Sequence, residues 1–212
     1  MPTLPPRSAT EDDDAAGVRA LDPALRGRLN SLIDEGRDFW NQFDIDVRQR
    51  EFHPFVPANY DRVLRTLIGL RAPGLHFLEW GSATGVIAIM ADLLGFDACG
   101  IELDPQLVET ARELARRYDS GARFATGSFL PAGYEFRPRD GDGRLGTIGR
   151  GPSGYLELKQ PLEDFDLVFG YPWGGEEPLM RDLMSRYGGA GARLLIHGPT
   201  DEIATHTLRG RG

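Results

Sequence analysis

Glu79-Trp80-Gly81-Ser82-Ala83-Thr84-Gly85 closes one apolar run and opens another, and small residues at 81, 83 and 85 leave the backbone of the turn accessible. Such a turn suits an adenosine-bearing ligand, because it sets main-chain N–H groups against it at a helix N-terminus. Glu79 adds a carboxylate at the end of the first run. About twenty residues on, Gly100-Ile101-Glu102-Leu103-Asp104-Pro105 ends a second apolar run with another acid, where a ribose presents its hydroxyls. Two acids around one glycine-rich turn point to a nucleoside.

Alternating elements must hold these residues. From Leu75 the pattern predicts strands over 75–79, 98–102, 122–126, 165–169 and 192–197. Helices are expected over 84–94, from Pro105, and over 176–187, which makes a Rossmann-like, doubly wound α/β protein with a mainly parallel sheet. Upstream, Asp22-Pro23 reads as an N-cap with proline at the first helical position, followed by Leu25, Leu29, Leu32, Ile33, Trp40 and Phe43 at helical spacing. Phe52-His53-Pro54-Phe55-Val56-Pro57 is an extended connector to a second helix over 59–70. The domain plan is a Pro-rich acidic tail over 1–20, a helical cap over 21–73, the sheet domain over 74–199, and a short tail over 200–212. The cap covers the cleft, and Trp40, Phe52, Phe55 and Tyr60 either line a substrate pocket or belong to the core.

Composition narrows the function classes. A net charge of -8 and a pI near 5.0 argue against a broad phosphate-binding face, so a nucleic-acid partner is not expected. One cysteine, Cys99, excludes an internal disulfide and a cysteine metal cluster, and no metal is expected. No apolar stretch has the length of a membrane helix and residues 1–20 lack signal-peptide character, so a cytoplasmic protein is the expectation. The Gly-rich insertion over 130–161 is a mobile lid or an inert insertion; Gly154-Tyr155-Leu156-Glu157-Leu158 suits a hairpin strand, and Asp140-Gly141-Asp142-Gly143 suits a plain turn rather than a calcium loop.

Across residues 75–197 the chain resembles the class I S-adenosylmethionine-dependent methyltransferases. That family carries an acid two residues before a G-x-G-x-G turn; Glu79, Gly81, Ala83 and Gly85 hold those positions, with alanine for the middle glycine. The resemblance implies that Glu79 meets the amino-acid end of the cofactor, that the 81–85 backbone curves beneath its methionine portion, and that Glu102 takes the ribose hydroxyls. It implies that Leu103 packs on the adenine and that Ser128, where the family often has aspartate, hydrogen-bonds it. The fourth motif falls at Asp166-Leu167-Val168-Phe169-Gly170-Tyr171-Pro172-Trp173. There Gly170 offers only backbone to the cofactor, whereas amino-methylating relatives often carry Asn or Asp, and Tyr171 and Trp173 form an apolar wall beside the sulfonium. His53, Glu176, Glu177 and His197 are the candidates for a base, with His53 foremost.

The family usually adds two strands beyond His197, where a polar tail is read here. The sheet edge would then be covered by the N-terminal helices, the insertion or a second copy of the chain, as a homodimer. The resemblance implies methyl transfer from S-adenosylmethionine to a small-molecule or protein nucleophile. A silent cofactor-binding module is the alternative; a nicotinamide oxidoreductase fits less well, because its fingerprint wants glycines where Ala83 and Val86 stand.

Overall fold

The computed structural model describes residues 17–49, 55–135, 151–172 and 175–208. The expected tail falls mostly on residues 1–16, outside them, as do His53, Phe52, Trp173 and the Asp140–Gly143 turn. Helix α1, Pro23–Phe43, starts as its sequence dictates: Asp22 Oδ1 accepts from the amides of Ala24 and Leu25 at 2.9 and 3.2 Å. It buries Leu29, Leu32, Ile33 and Gly36, then runs into a π-helical turn over Asp44–Arg48. Helix α2, Tyr60–Leu70, is capped by Asn59, whose Oδ1 accepts from the Arg62 amide at 3.1 Å.

Strands β1 (His76–Trp80), β2 (Asp97–Glu102), β3 (Arg123–Thr126), β4 (Leu167–Gly170), β5 (Arg193–His197) and β6 (Ile203–Thr207) form one sheet in the order β3-β2-β1-β4-β5-β6. The first five are parallel and β6 is antiparallel to β5. Between them lie α3 (Val86–Leu93), α4 (Pro105–Arg117), α5 (Gly154–Leu158) and α6 (Glu177–Tyr187). Helices cover both faces, so the strands read as apolar runs: neighbours Phe77 and Leu78 in β1 enter different cores. The Phe77 core takes residues from α1, α2, α3 and α4; the Leu78 core takes Tyr155, Met180, Leu183 and Met184 from α5 and α6. Cys99 is buried in β2, and burial pushes its thiol up to about 11.

Two expectations are corrected. Residues 203–207 form an edge strand and not a polar tail, so the edge of β5 is covered by the chain's own β6 rather than by the N-terminal helices or the insertion. One of the two strands missing from the sequence reading is therefore present. The alternation of Ile203, Thr205 and Thr207 was the signal, masked because these positions are half-buried or exposed. Residues 154–158 are helix, not strand: Tyr155 and Leu158, three apart, are buried together while Leu156 is 65% exposed. Glu157 fixes this turn by pairing with Arg112 at 2.6 Å and accepting from the Thr126 amide at 3.0 Å.

Candidate functional site

β1 lies between β2 and β4, so connections leave in opposite directions and a crevice opens at the carboxyl ends of β1 and β4. A cleft of about 500 Å3 occupies this point, within the roughly 300–1,000 Å3 of ordinary ligand pockets. Glu79, Gly81, Ala83, Glu102, Leu103 and Tyr171 line it, together with Pro172.

The three small residues of the turn do different work. Gly81 has φ +68°, and a Cβ there would meet nothing within 4 Å. Gly85 has φ +76° and does not line the cleft; a Cβ there would lie 2.5 Å from Phe124 and 2.8 Å from Ala111, so this glycine lets α3 settle onto α4 and β3. Ala83 holds φ +44°, a left-handed conformation disfavoured for a side chain, and its methyl packs with Phe55 and Leu107. Trp40 and Phe43 brace Phe55 edge-on, each 5.2 Å away between ring centroids. The cap therefore reaches the cleft through Phe55 and Tyr60, while Trp40 stands behind Phe55.

Four amides of the turn are bonded within the fold. Gly81 and Ser82 donate to Ile101 O at 2.9 and 3.0 Å, Ala83 to Glu102 Oε2 at 2.9 Å, and Gly85 to Ser82 O at 2.7 Å. What the turn offers instead is carboxylate. Glu79 is 5% exposed and its Oε2 accepts from the Ala88 amide at 3.0 Å, closing the first turn of α3, which Gly85 cannot cap with a side chain. Burial, and then the charge of Glu102, pushes its carboxyl well above the usual range against the opposing Ala88 hydrogen bond. Glu102 accepts from Ala83 with one oxygen and from the Asp104 amide with the other, at 3.0 Å, and burial raises it too. Asp104 caps α4.

Among the described lining residues there are four glutamates, Glu79, Glu102, Glu176 and Glu177, and no lysine or arginine. This lining suits a ligand with positive charge and hydroxyls and opposes phosphate, which needs donors or cations. The fit extends to a sulfonium nucleoside: each Glu102 oxygen keeps acceptor capacity beyond its amide, and Leu103, Ile101 and Phe129 give an apolar wall. Trp80 stacks on Phe129 at 5.2 Å and donates from Nε1 to the Tyr155 hydroxyl at 2.7 Å. Sequence reading missed both rings as cleft residues; Trp80 stood inside the motif, and Phe129 carried no signal.

Other expected site residues are placed elsewhere. Ser128 does not line the cleft: its Oγ accepts from the Leu130 amide at 3.1 Å and its N–H donates to Pro152 O at 2.8 Å, leaving Gly127 and Phe129 at the wall. Gly170 is absent from the lining as well; a Cβ there would lie 2.7 Å from Met180 Sδ, so its smallness seats α6. His197 lines the cleft, 4.5 Å from the Tyr171 ring, but its Nε2 accepts from the Asn59 amide at 3.1 Å. Burial lowers its pKa, so the imidazole is neutral with its acceptor lone pair engaged. It clasps the start of α2 to the end of β5 and is not placed to take a proton at Nε2. Glu176 and Glu177 line the cleft, and Glu177 pairs with Arg181 at 2.9 Å.

No family model matches the chain. It is similar to the ribosomal protein L11 methyltransferase of Thermus thermophilus, 38% identical over 77 residues, which is 36% of this chain and 30% of that protein. A second relative of that name, from Burkholderia vietnamiensis, is 36% identical over 62 residues, 29% of this chain and 21% of the relative. The matches thus span under a third of these relatives' length. Similar solved structures include an RNA methyltransferase from Salinibacter ruber in complex with S-adenosyl-L-homocysteine, with 19% identity, TM-score 0.45, and coverage of 66% of this chain and 76% of that one. Another is a methyltransferase from Thiobacillus denitrificans bound to the same compound, with 18% identity, TM-score 0.43, and coverage of 74% and 54%. The sheet order is that of a Rossmann-like fold, and the sequence likeness to the L11 methyltransferases extends over about a third of the chain.

Proposed function

We propose that the cleft binds S-adenosylmethionine and that the protein transfers its methyl group to a small-molecule or protein nucleophile. The observation that carries this reading is the pairing of a buried carboxylate, Glu79, with a half-buried one, Glu102, around a turn in which the amides of Gly81, Ser82, Ala83 and Gly85 are bonded inside the fold. A nicotinamide dinucleotide would set its diphosphate against glutamates, with no lysine or arginine among the described lining residues. The names of the L11 relatives support the protein arm of the substrate reading.

When bound, the cofactor supplies an electrophilic methyl carbon; the chain's task is alignment for an in-line displacement. Glu102 would hold the ribose hydroxyls and Leu103 the adenine face, while Phe55, backed by Trp40 and Phe43, keeps water from the turn. Tyr171 and Pro172, at the end of β4, form the wall along which the nucleophile approaches.

Isothermal titration with S-adenosylmethionine, S-adenosylhomocysteine and NAD+ tests the cofactor. Binding of the first two and not the third supports the reading; NAD+ binding alone overturns it. Glu102→Ala should weaken cofactor binding by roughly tenfold or more, since a hydrogen bond to a charged group contributes about 1.5–3 kcal/mol. It also strips acceptors from the Ala83 and Asp104 amides, so Glu102→Gln, which keeps one oxygen, should melt higher than Glu102→Ala. A silent cofactor-binding module remains the second reading, because Gly170 brings no polar side chain to the end of β4 and packs toward Met180. Transfer of radiolabelled methyl to any acceptor in an extract excludes it.

A further inference from the structure

Two hydrogen bonds cross one seam of the cleft. Phe55, Val56, Pro57 and Ala58 of the cap line it on one side, and His197, Gly198 and Pro199 at the end of β5 line it on the other. Asn59, next in the chain, donates from its main-chain N–H to His197 Nε2 and from its side chain to Asp201 Oδ2, each at 3.1 Å. A main-chain N–H can only donate, so Nε2 offers its lone pair and the neutral ring carries its proton on Nδ1. Nδ1 is buried without a hydrogen-bond partner among the described residues, although the Gly198 backbone is near enough to act on the ring. Asp201 holds φ +64°, a left-handed conformation that most side chains avoid. Both partners of Asn59 thus carry a cost in the closed arrangement, which suits a contact that is made and broken.

The bond from the Asn59 amide exists only while Nε2 is unprotonated. A proton there sets two donors against each other, and the imidazolium has Asp201 Oδ1, 3.6 Å from Nε2, as its alternative partner. The ring meets the uncharged Asn59 from α2, the rings of Phe169 and Tyr171 from the end of β4, and Asp201 and Glu202 from the β5–β6 turn. Burial also raises the Tyr171 phenol, which stays neutral. For His197, burial lowers the pKa against Asp201, the Gly198 backbone and Glu202, which raise it. A base lowered in the closed arrangement favours closure fully above its ordinary value of about 6.5 and loses that contribution as pH falls through the lowered one. The remaining bond between Asn59 and Asp201 joins exposed side chains, where water competes for it. We propose that the Asn59–His197 bond is a pH-sensitive latch: it holds residues 55–59 of the cap against the cleft while the ring is neutral, and protonation at Nε2 releases them and opens the cleft.

Nitrogen NMR and amide hydrogen exchange on the unliganded wild-type protein test the latch independently of any ligand. Near neutral pH the Asn59 amide should be protected and the His197 ring nitrogens should show the proton on Nδ1. At about pH 5, protection of that amide, corrected for its intrinsic exchange rate, should fall by about tenfold or more. Amides of β1 should keep their protection, which separates release of the cap from unfolding. Asp201→Asn keeps an oxygen for Asn59 and tolerates the left-handed φ, so it should fold as wild type and release at lower pH, the carboxylate that favours the imidazolium being gone. His197→Gln sets a non-titrating oxygen near Nε2 and should hold the Asn59 amide protected at both pH values. Dissociation of S-adenosylhomocysteine at about pH 5 should be about tenfold faster from wild type than from His197→Gln, and equal near neutral pH. Equal protection of the Asn59 amide at both pH values, a ring proton on Nε2 near neutral pH, loss of protection in β1 as well, or release of Asp201→Asn at the wild-type pH overturns the proposal. Equal dissociation from wild type and His197→Gln at about pH 5 overturns the opening of the cleft. A wild type that binds no S-adenosylhomocysteine removes the cofactor reading, and the exchange profiles still decide the latch; they do so too where His197→Gln fails to fold.

Discussion

Gly81→Arg is expected to abolish cofactor binding, with a loss of more than about a thousandfold in affinity, while the protein still folds. A Cβ at this position meets no atom within 4 Å, so the added side chain is not driven into the core. It enters the cleft, where Glu79 and Glu102 lie. The guanidinium then occupies the volume of the ligand and offers the carboxylates a tethered cation in its place. The cost to the fold is confined to the backbone, since φ +68° disfavours a side chain by about 1–2 kcal/mol. Calorimetry with S-adenosylhomocysteine reads the first effect and thermal melting the second. Gly81→Ala isolates the strain and should keep affinity within about tenfold of wild type. Full affinity in Gly81→Arg places the ligand elsewhere.

Glu79→Gln should stabilise the unliganded protein and impair the cofactor complex. Its carboxyl is raised well above the ordinary range, first by burial. A carboxyl whose folded pKa lies above its unfolded one contributes stability that is complete below the unfolded pKa and is lost as pH rises through the folded value. Wild-type stability should therefore decline from the ordinary carboxylate range up to the raised pKa of Glu79. Glu79→Gln keeps an oxygen for the Ala88 amide and lacks this decline, so at neutral pH it should melt higher, by about 2–4 °C for each kcal/mol recovered. The same substitution removes the charge that faces the ligand's cation and should cost about ten- to a hundredfold in affinity.

Proton linkage gives a signature for the wild type. A cationic ligand lowers the pKa of Glu79 in the complex, so binding releases a proton over the interval between the bound and unbound values. Affinity should rise with pH across that interval and level off above the unbound pKa. Binding enthalpies measured in buffers of different ionisation enthalpy read the proton directly. Equal enthalpies in all of them, or affinity that falls with pH, would show that Glu79 is not the group facing the cation.

Much of the fold was legible in the residues because its signals are local. Asp22-Pro23, Asn59 and Asp104-Pro105 each set a helix start by hydrogen bonds within three residues. Apolar runs marked the buried parallel strands. The 154–158 helix was misread because a five-residue segment with apolar residues two and three apart suits either period; contact with Ile101 and the bonds of Glu157 settle it. Ser128 and Gly170 stand where a family motif would put ligand contacts, yet the bonding of Ser128 to Leu130 and Pro152 and the approach of Met180 to Gly170 turn them away from the cleft.

By itself the sequence determined the glycine turn, the two acids at strand ends and the order of elements, since each depends on caps, periodicity and backbone freedom read over a few residues. Only the tertiary structure decided that β6 covers the edge of β5, that the amides of Gly81, Ser82, Ala83 and Gly85 bond within the fold, and that Phe55 and Tyr60 rather than Trp40 reach the cleft. Those outcomes depend on which distant segment arrives at a given hydrogen-bonding group or ring. Neither the type of a residue nor its neighbours in the chain carry that information.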